Sequence, residues 1–88
     1  MTKKEKILAA YPDDTFLFWD GFEEAILGVD YTSLRIIYSI KKCIDILIED
    51  SKLSFEDARE DLEYNTLGAY VGEKTPIMLD DDFLDEDV

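Results

Sequence analysis

The spacing of apolar and polar residues divides the chain into helical and extended segments. Residues 2–10 have a helical pattern, and Thr2 and Glu5 stand at the spacing of a capping box. Pro12 ends this pattern, because the residue before a proline is pushed out of the helical region. A short N-terminal helix is therefore predicted.

Three segments rich in β-branched and aromatic residues follow the first helix. Residues 15–19, 25–29 and 34–39 predict three strands. Gly21 belongs to a turn signal between the first two, which are predicted to form a hairpin. Gly28 lies inside the second strand, where an isolated glycine predicts a bulge.

The apolar period then changes to that of a helix. Ser39 is a candidate cap for a helix over residues 40–50, whose apolar stripe includes Cys43. Ser54, with an acid three residues later, predicts the start of a second helix that continues to about residue 69 or 70.

The stretch LEYNTLGAYVGEKTPIML, residues 62–79, contains an asparagine, two glycines and a proline, residues that favour particular backbone conformations. Asn65 falls near the inward stripe of the second helix, where its amide needs a hydrogen bond to neighbouring backbone. Gly68 allows close packing, and Gly72 is expected to end the helix with a positive φ. Pro76 suits the start or edge of a last strand over residues 77–79.

This order of elements predicts an α+β fold. The expected architecture is a small, mostly antiparallel sheet of three to four strands, with two main helices packed on one face and a short N-terminal helix. Residues 1–79 are expected to form a single domain. Residues 80–88, with six acids in nine positions, are expected to form an acidic C-terminal tail.

Net charge is the unusual property of the composition. The chain has 22 acids and 9 bases, a formal net charge of −13, and residues 43–88 hold 15 of the acids and 3 of the bases. Such a field repels nucleic acid and anionic membranes and attracts basic protein surfaces. The alternative interpretation is that the charge serves solubility.

Little in the sequence indicates catalysis. Histidine is absent and Cys43 is the only cysteine, which excludes an intramolecular disulfide, a His/Cys zinc site and nucleophile–histidine dyads. The carboxylates lack the order of an EF-hand loop, and no phosphate-binding glycine loop is present. We expect no enzyme activity, metal or cofactor; an enzyme would need a buried carboxylate pair beside a pocket.

Three stretches of the chain resemble a known group of proteins. DGFEEAILGVD (residues 20–30), IIYSIKKCIDILIED (36–50) and EDAREDLEYNTLGAYVGEKTPI (56–77) are similar to short, mostly uncharacterised proteins encoded by tailed bacteriophages. The likeness is most specific in Y-N-x-x-G-A-Y-V-G-E-x-T-P-I, and the N-terminal helix and acidic tail lie outside it. The resemblance implies a phage origin and a location in the cytoplasm of an infected bacterium, without implying an activity.

Two hypotheses for function follow. The first is a non-catalytic acidic phage accessory protein that binds a basic host protein, as a nucleic-acid mimic that inhibits a nuclease, a defence protein or a transcription factor. Direct binding to nucleic acid is not expected, because phosphate contacts need clustered Lys or Arg, and no membrane contact is expected. The predicted acidic face consists of Glu56, Asp57, Glu60, Asp61, Glu63, Asp80, Asp81 and Asp82.

The second hypothesis is a self-associating structural or accessory phage protein whose charge serves solubility. Residues 70–77 or the aromatic hairpin would then form the contact between copies, and an exposed apolar patch on those elements would favour this hypothesis.

Overall fold

The computed structural model describes residues 1–64 and 72–81. The predicted α+β class is confirmed. In chain order the elements are α1 (Lys3–Ala10), a 3₁₀ turn (Glu23–Ala25), β1 (Ile26–Val29), β2 (Ile36–Ser39), α2 (Ile40–Ser51), α3 (Phe55–Leu62) and β3 (Ile77–Leu79).

In the described part of the chain the sheet has three strands, with β2 at its centre. β1 pairs with β2 in antiparallel fashion, and its register shifts between Ile26 and Gly28. This irregularity is the bulge that the isolated glycine predicts. β3 pairs with β2 in parallel, with Leu79 opposite Ser39. A parallel pair needs a long crossover connection, and α2 and α3 lie within it.

One hydrophobic cluster joins the sheet to α2 and α3. On α3 the buried side is narrow, because Ala58 and Leu62 are fully buried while Phe55 is 48% exposed. The buried apolar residues are Ala25, Ile26, Ile36, Tyr38, Ile40, Cys43, Ile44, Ala58 and Leu62.

Tyr38 is a fully buried residue of the central strand. Its ring stacks on Trp19 with the ring centroids 5.2 Å apart, and its hydroxyl oxygen accepts a hydrogen bond from the Trp19 backbone amide at 2.9 Å. Burial raises the pKa of Tyr38. The hydroxyl therefore stays neutral and ties the segment before β1 to the sheet.

The hairpin predicted between residues 15–19 and 25–29 is wrong, because residues 15–19 form no strand. Their aromatic side chains pack against the core instead. The outer edge of β1 is occupied by Lys3, whose ammonium donates to the carbonyl oxygens of Glu24 and Ile26 at 2.8 and 3.1 Å. A lysine at a sheet edge blocks the pairing of a further strand.

The predicted helix starts are confirmed. Ser39 and Ser54 begin α2 and α3, and each hydroxyl accepts the amide three residues later, at 3.1 and 3.2 Å. Thr2 and Glu5 form the capping box of α1. Local hydrogen bonding thus sets where all three described helices begin.

The predicted turn residues have the expected backbone. Gly21 lies in a turn with a φ of +87°, and Gly72 has a φ of +114°, a region that L side chains rarely adopt. Pro76 is buried and directly precedes β3. Asn65, Gly68 and the predicted end of the second helix lie outside the described residues.

Replacing Tyr38→Phe keeps the ring stacked on Trp19 but removes the oxygen that accepts the backbone amide. We expect the free energy of unfolding to fall by about 1–2 kcal/mol, because a partly buried donor loses its partner. Urea unfolding followed by the fluorescence of Trp19, the only tryptophan, measures the change. The matched control is Tyr31→Phe, since Tyr31 is 87% exposed; an equal loss in both variants would contradict the role of the buried hydroxyl.

Candidate functional site

The outward side of α3 carries most of the predicted acidic residues. Ala58 and Leu62 hold the helix against the core, so the intervening positions face solvent or the flanks of the helix. Asp61 is half-buried, and the exposed acids are Glu56, Asp57, Glu60 and Glu63.

The density of charge along residues 56–63, which are α3 without Phe55 and with its C-terminal cap Glu63, is close to that of single-stranded nucleic acid. Residues 56–63 hold five acids and Arg59, a net charge of −4. At a rise of about 1.5 Å per residue, this is roughly one net charge per 3 Å of helix axis. Duplex DNA carries about one charge per 1.7 Å, and a single strand about one per 3.4 Å.

An open depression of about 350 Å³ lies beside this helix. Leu53 and Tyr64 flank it, and Tyr64 is 86% exposed. A lysine or arginine side chain placed here would meet both carboxylates and an aromatic ring, two groups that attract cations. The acids that line it are Asp57, Glu60 and Asp61.

Arg59 neutralises part of the predicted acidic face. Its Nε lies 3.6 Å from Oε1 of Glu63, and its Nη2 lies 3.8 Å from Oδ2 of Asp80. These side chains are 36–57% exposed, so each pair adds little stability. The pairs do bring Asp80 towards α3.

Asp81 is bound to the start of α2. Its Oδ2 accepts the hydroxyl of Ser39 at 2.6 Å, and its Oδ1 accepts the amide of Lys41 at 3.2 Å. Partial burial raises the pKa of Asp81, but the hydrogen bonds from Ser39 and from backbone amides, together with the positive charge of Lys41, outweigh burial and hold the pKa below its ordinary value. Asp81 therefore contacts the end of β2 and the start of α2, 42 and 40 residues earlier in the chain. No local pattern indicates this contact, because Ser39 and Asp81 are 42 residues apart.

The structure separates the predicted acids by what they contact. Asp81 binds within the molecule, and Asp82 lies outside the described residues. Glu63 and Asp80 pair with Arg59. Four acids of α3 are named here the α3 acidic face: Glu56, Asp57, Glu60 and Asp61.

Several basic side chains are engaged with backbone and aromatic groups. Lys3 donates to backbone carbonyls at the edge of β1. Lys74 donates to the carbonyl oxygen of Leu34 at 3.2 Å and lies over the ring of Phe16. Lys4 lies 5.0 Å from the centroid of the Phe18 ring. These cations support the fold at places distant in sequence from the acids of α3.

Cys43 has the environment of a core residue. It is fully buried, and burial, together with the nearby charge of Asp81, raises the pKa of its thiol to about 12. A nucleophilic cysteine needs the opposite, a lowered pKa and some exposure. The interpretation of Cys43 as a small core hydrophobe is confirmed.

The described residues contain neither a metal-binding cluster nor a membrane-spanning helix. In residues 1–64 and 72–81, no group of three or more His, Cys, Asp or Glu side chains could hold a metal ion. No helix in the described part of the chain is long and apolar enough to cross a membrane.

Comparison of the chain with known proteins gave no match to a protein-family model, to a curated protein or to a solved structure. No relative therefore supplies a function that could be transferred to it.

Cys43 is expected to resist thiol reagents in the folded protein. With a pKa of about 12, its thiolate fraction at pH 8 is about one in ten thousand. Ellman's reagent at pH 8 should release almost no colour from the native chain and one equivalent in concentrated urea. Rapid stoichiometric reaction without denaturant would contradict the buried position.

Replacing Asp81→Ala removes two hydrogen bonds at the start of α2. We expect the free energy of unfolding at pH 7 to fall by about 1 kcal/mol, the usual cost of a lost helix cap. Because the folded pKa of Asp81 is lowered, its contribution is present above the unfolded pKa of about 3.9 and is lost as the pH falls through the folded pKa.

Urea titrations of wild type and Asp81→Ala between pH 7 and pH 3 test this expectation. The stability difference between the two should stay constant down to about pH 4 and shrink below it. Asp14→Ala, at an exposed position, is the control. A difference that grows as the pH falls would contradict the contact.

Proposed function

We propose that this chain is a non-catalytic acidic accessory protein of a phage, which binds a basic host protein by imitating the charge of nucleic acid. The α3 acidic face is the proposed contact surface. The proposed partner is a bacterial nuclease, defence protein or transcription factor, met in the cytoplasm of the infected cell.

The observation that carries this proposal is the charge density of α3. The net charge per length of residues 56–63 is close to that of single-stranded DNA, and four of the five acids stand on a helix held in place by Ala58 and Leu62. Carboxylates on a packed helix are preorganised, so a partner loses little conformational freedom in meeting them.

The contacts made by several basic side chains also support the proposed binding of a basic partner. Lys3, Lys4 and Lys74 contact backbone carbonyls or aromatic rings, and Arg59 pairs with the margin of the face. A net charge of −13 on 88 residues then acts at long range, steering a basic partner towards the chain and raising the rate of association.

The resemblance of residues 20–77 to proteins of tailed bacteriophages supports a bacterial host as the source of the partner. The depression beside Tyr64 supports a lysine- or arginine-rich contact, since carboxylates and an aromatic ring meet there.

A charge-neutral variant tests the proposal. Replacing Glu56→Gln, Asp57→Asn, Glu60→Gln and Asp61→Asn keeps side-chain size and removes four negative charges. At about 0.5 kcal/mol for each exposed ion pair, we expect the dissociation constant for the partner to rise about 30-fold. Its dependence on salt should also weaken, because fewer charges take part.

The experiment begins with affinity capture from bacterial lysate, elution by a salt gradient and mass spectrometry. The captured protein is then purified and titrated against both chains, with and without added duplex DNA. Competition by DNA is expected for a nucleic-acid mimic.

A matched control removes four exposed acids elsewhere, through Asp13→Asn, Asp14→Asn, Asp20→Asn and Glu24→Gln. This chain has the same net charge as the α3 variant. If both variants lose affinity equally, overall charge and not the α3 acidic face is responsible. If neither loses affinity, the proposal is wrong.

Self-association is the alternative to this function. The aromatic side chains of residues 15–19 pack against the core, and residues 70–71, part of the other predicted contact, lie outside the described residues. Recovery of the bait alone, at twice its monomer mass by light scattering, would favour the alternative.

A further inference from the structure

A groove of about 220 Å³ lies between α1 and the edge strand β1. Within residues 1–64 and 72–81, its lining is apolar except for two lysines, and Leu27 is 44% exposed. The lining residues are Lys3, Lys6, Ile7, Ile26, Leu27 and Gly28.

The groove differs in charge from the rest of the molecule. No acid is among the lining residues that the structure describes, although the chain as a whole carries a net charge of −13. The ammonium of Lys3 has three N–H donors, of which two bind the carbonyls of Glu24 and Ile26, so it has capacity for one further acceptor. An occupant with apolar side chains flanked by carboxylates would complement this surface.

The chain itself contains such a segment. Residues 82–88 read DFLDEDV, in which Phe83 and Leu84 are flanked by Asp82 on one side and three acids on the other. We propose that the groove between α1 and β1 binds the chain's own C-terminal segment, residues 82–88, within the same molecule. The apolar pair would cover Leu27, and the flanking carboxylates would face the lysines.

Residues 82–88 begin close enough to the groove to reach it, because they follow Asp81. Asp81 is held at Ser39, the last residue of β2, and Tyr38 beside it pairs with Ile26 of β1. Neighbouring strands lie about 4.8 Å apart, so the edge of β1 is roughly 10 Å from β3. Seven extended residues span up to about 23 Å.

A second depression offers a path to the groove. It has a volume of about 300 Å³, and Lys3 lines both this depression and the groove. Lys42 also lines it, one residue after the Lys41 amide that binds Asp81. Its remaining lining residues are Glu24, Asp45 and Ile46.

Because residues 82–88 are attached to the same chain as the groove, contact within one molecule is favoured over contact between two molecules. A short flexible linker gives the tethered segment an effective concentration in the millimolar range. A second copy of the chain would reach that level only at very high protein concentration, and two chains of this charge repel each other. The groove and the α3 acidic face share no residue, so docking of the C-terminal segment is independent of the proposed function.

Paramagnetic relaxation enhancement in the full-length chain tests the proposal. Val88→Cys introduces a nitroxide site at the end of the segment and leaves Phe83, Leu84 and every acid in place. Wild-type chain treated with the same reagent shows whether the buried Cys43 takes up label. Amide signals of Lys6, Leu27 and Gly28 are expected to lose intensity, and to recover it in high salt.

A matched variant separates docking from chance encounters of a tethered chain. Adding Phe83→Ser and Leu84→Ser keeps the charge and length of the segment and removes its apolar pair. Recovery of the groove signals in this variant supports the proposal. Equal signal loss with and without the apolar pair would overturn it.

A mixed sample distinguishes the two sources of the segment. Isotope-labelled chain without nitroxide is combined with unlabelled chain carrying nitroxide at Val88→Cys. Unchanged groove signals support contact within one molecule, whereas signal loss in the mixture would overturn it in favour of a second copy. Neither outcome affects the test of the α3 acidic face, which uses different substitutions and a different readout.

Discussion

The hydroxyl of Ser39 is the point at which three parts of the structure meet. Ser39 is the last residue of β2. Its hydroxyl oxygen accepts a hydrogen bond from the Lys42 amide at 3.1 Å, which caps α2, and its hydroxyl donates to Oδ2 of Asp81 at 2.6 Å. Ser39 is fully buried, and a buried hydroxyl needs partners for both its donor and its acceptor functions. One side chain thus joins the strand, the helix and the chain that leaves β3. The hydrogen bond between Ser39 and Asp81 lies just beyond the last residue pair of the parallel strands β2 and β3, Ser39 with Leu79.

Basic and acidic side chains lie in different environments in the described structure. Cations near the sheet donate to backbone carbonyls or lie over aromatic rings, as Lys3, Lys4 and Lys74 do. Acids of α3 face solvent or an open depression. Four acids are thus grouped on one helix, whereas the described residues that line the groove beside β1 include two lysines and no acid. This separation underlies both the proposed partner contact and the proposed docking of the C-terminal segment.

Elements with local signals were predicted well. A serine or threonine at the first position and a change to the helical period marked α1, α2 and α3, because capping hydrogen bonds join residues three apart. Residues 15–19 were predicted wrongly, since their composition suits a strand but the sheet edge they would join is occupied by Lys3. The acids of α3 were found from composition, whereas the inward role of Asp81 was not.

Local sequence patterns predict the starts of the three helices, the strands β1, β2 and β3, the buried state of Cys43 and the excess of acid in the second half. Each of these depends on residues close together in the chain or on composition alone. The tertiary structure decided which strand lies parallel to β2, which acids face outward and which one binds inward. Those outcomes depend on contacts such as Ser39 with Asp81, 42 residues apart, and no local pattern encodes which distant groups will meet.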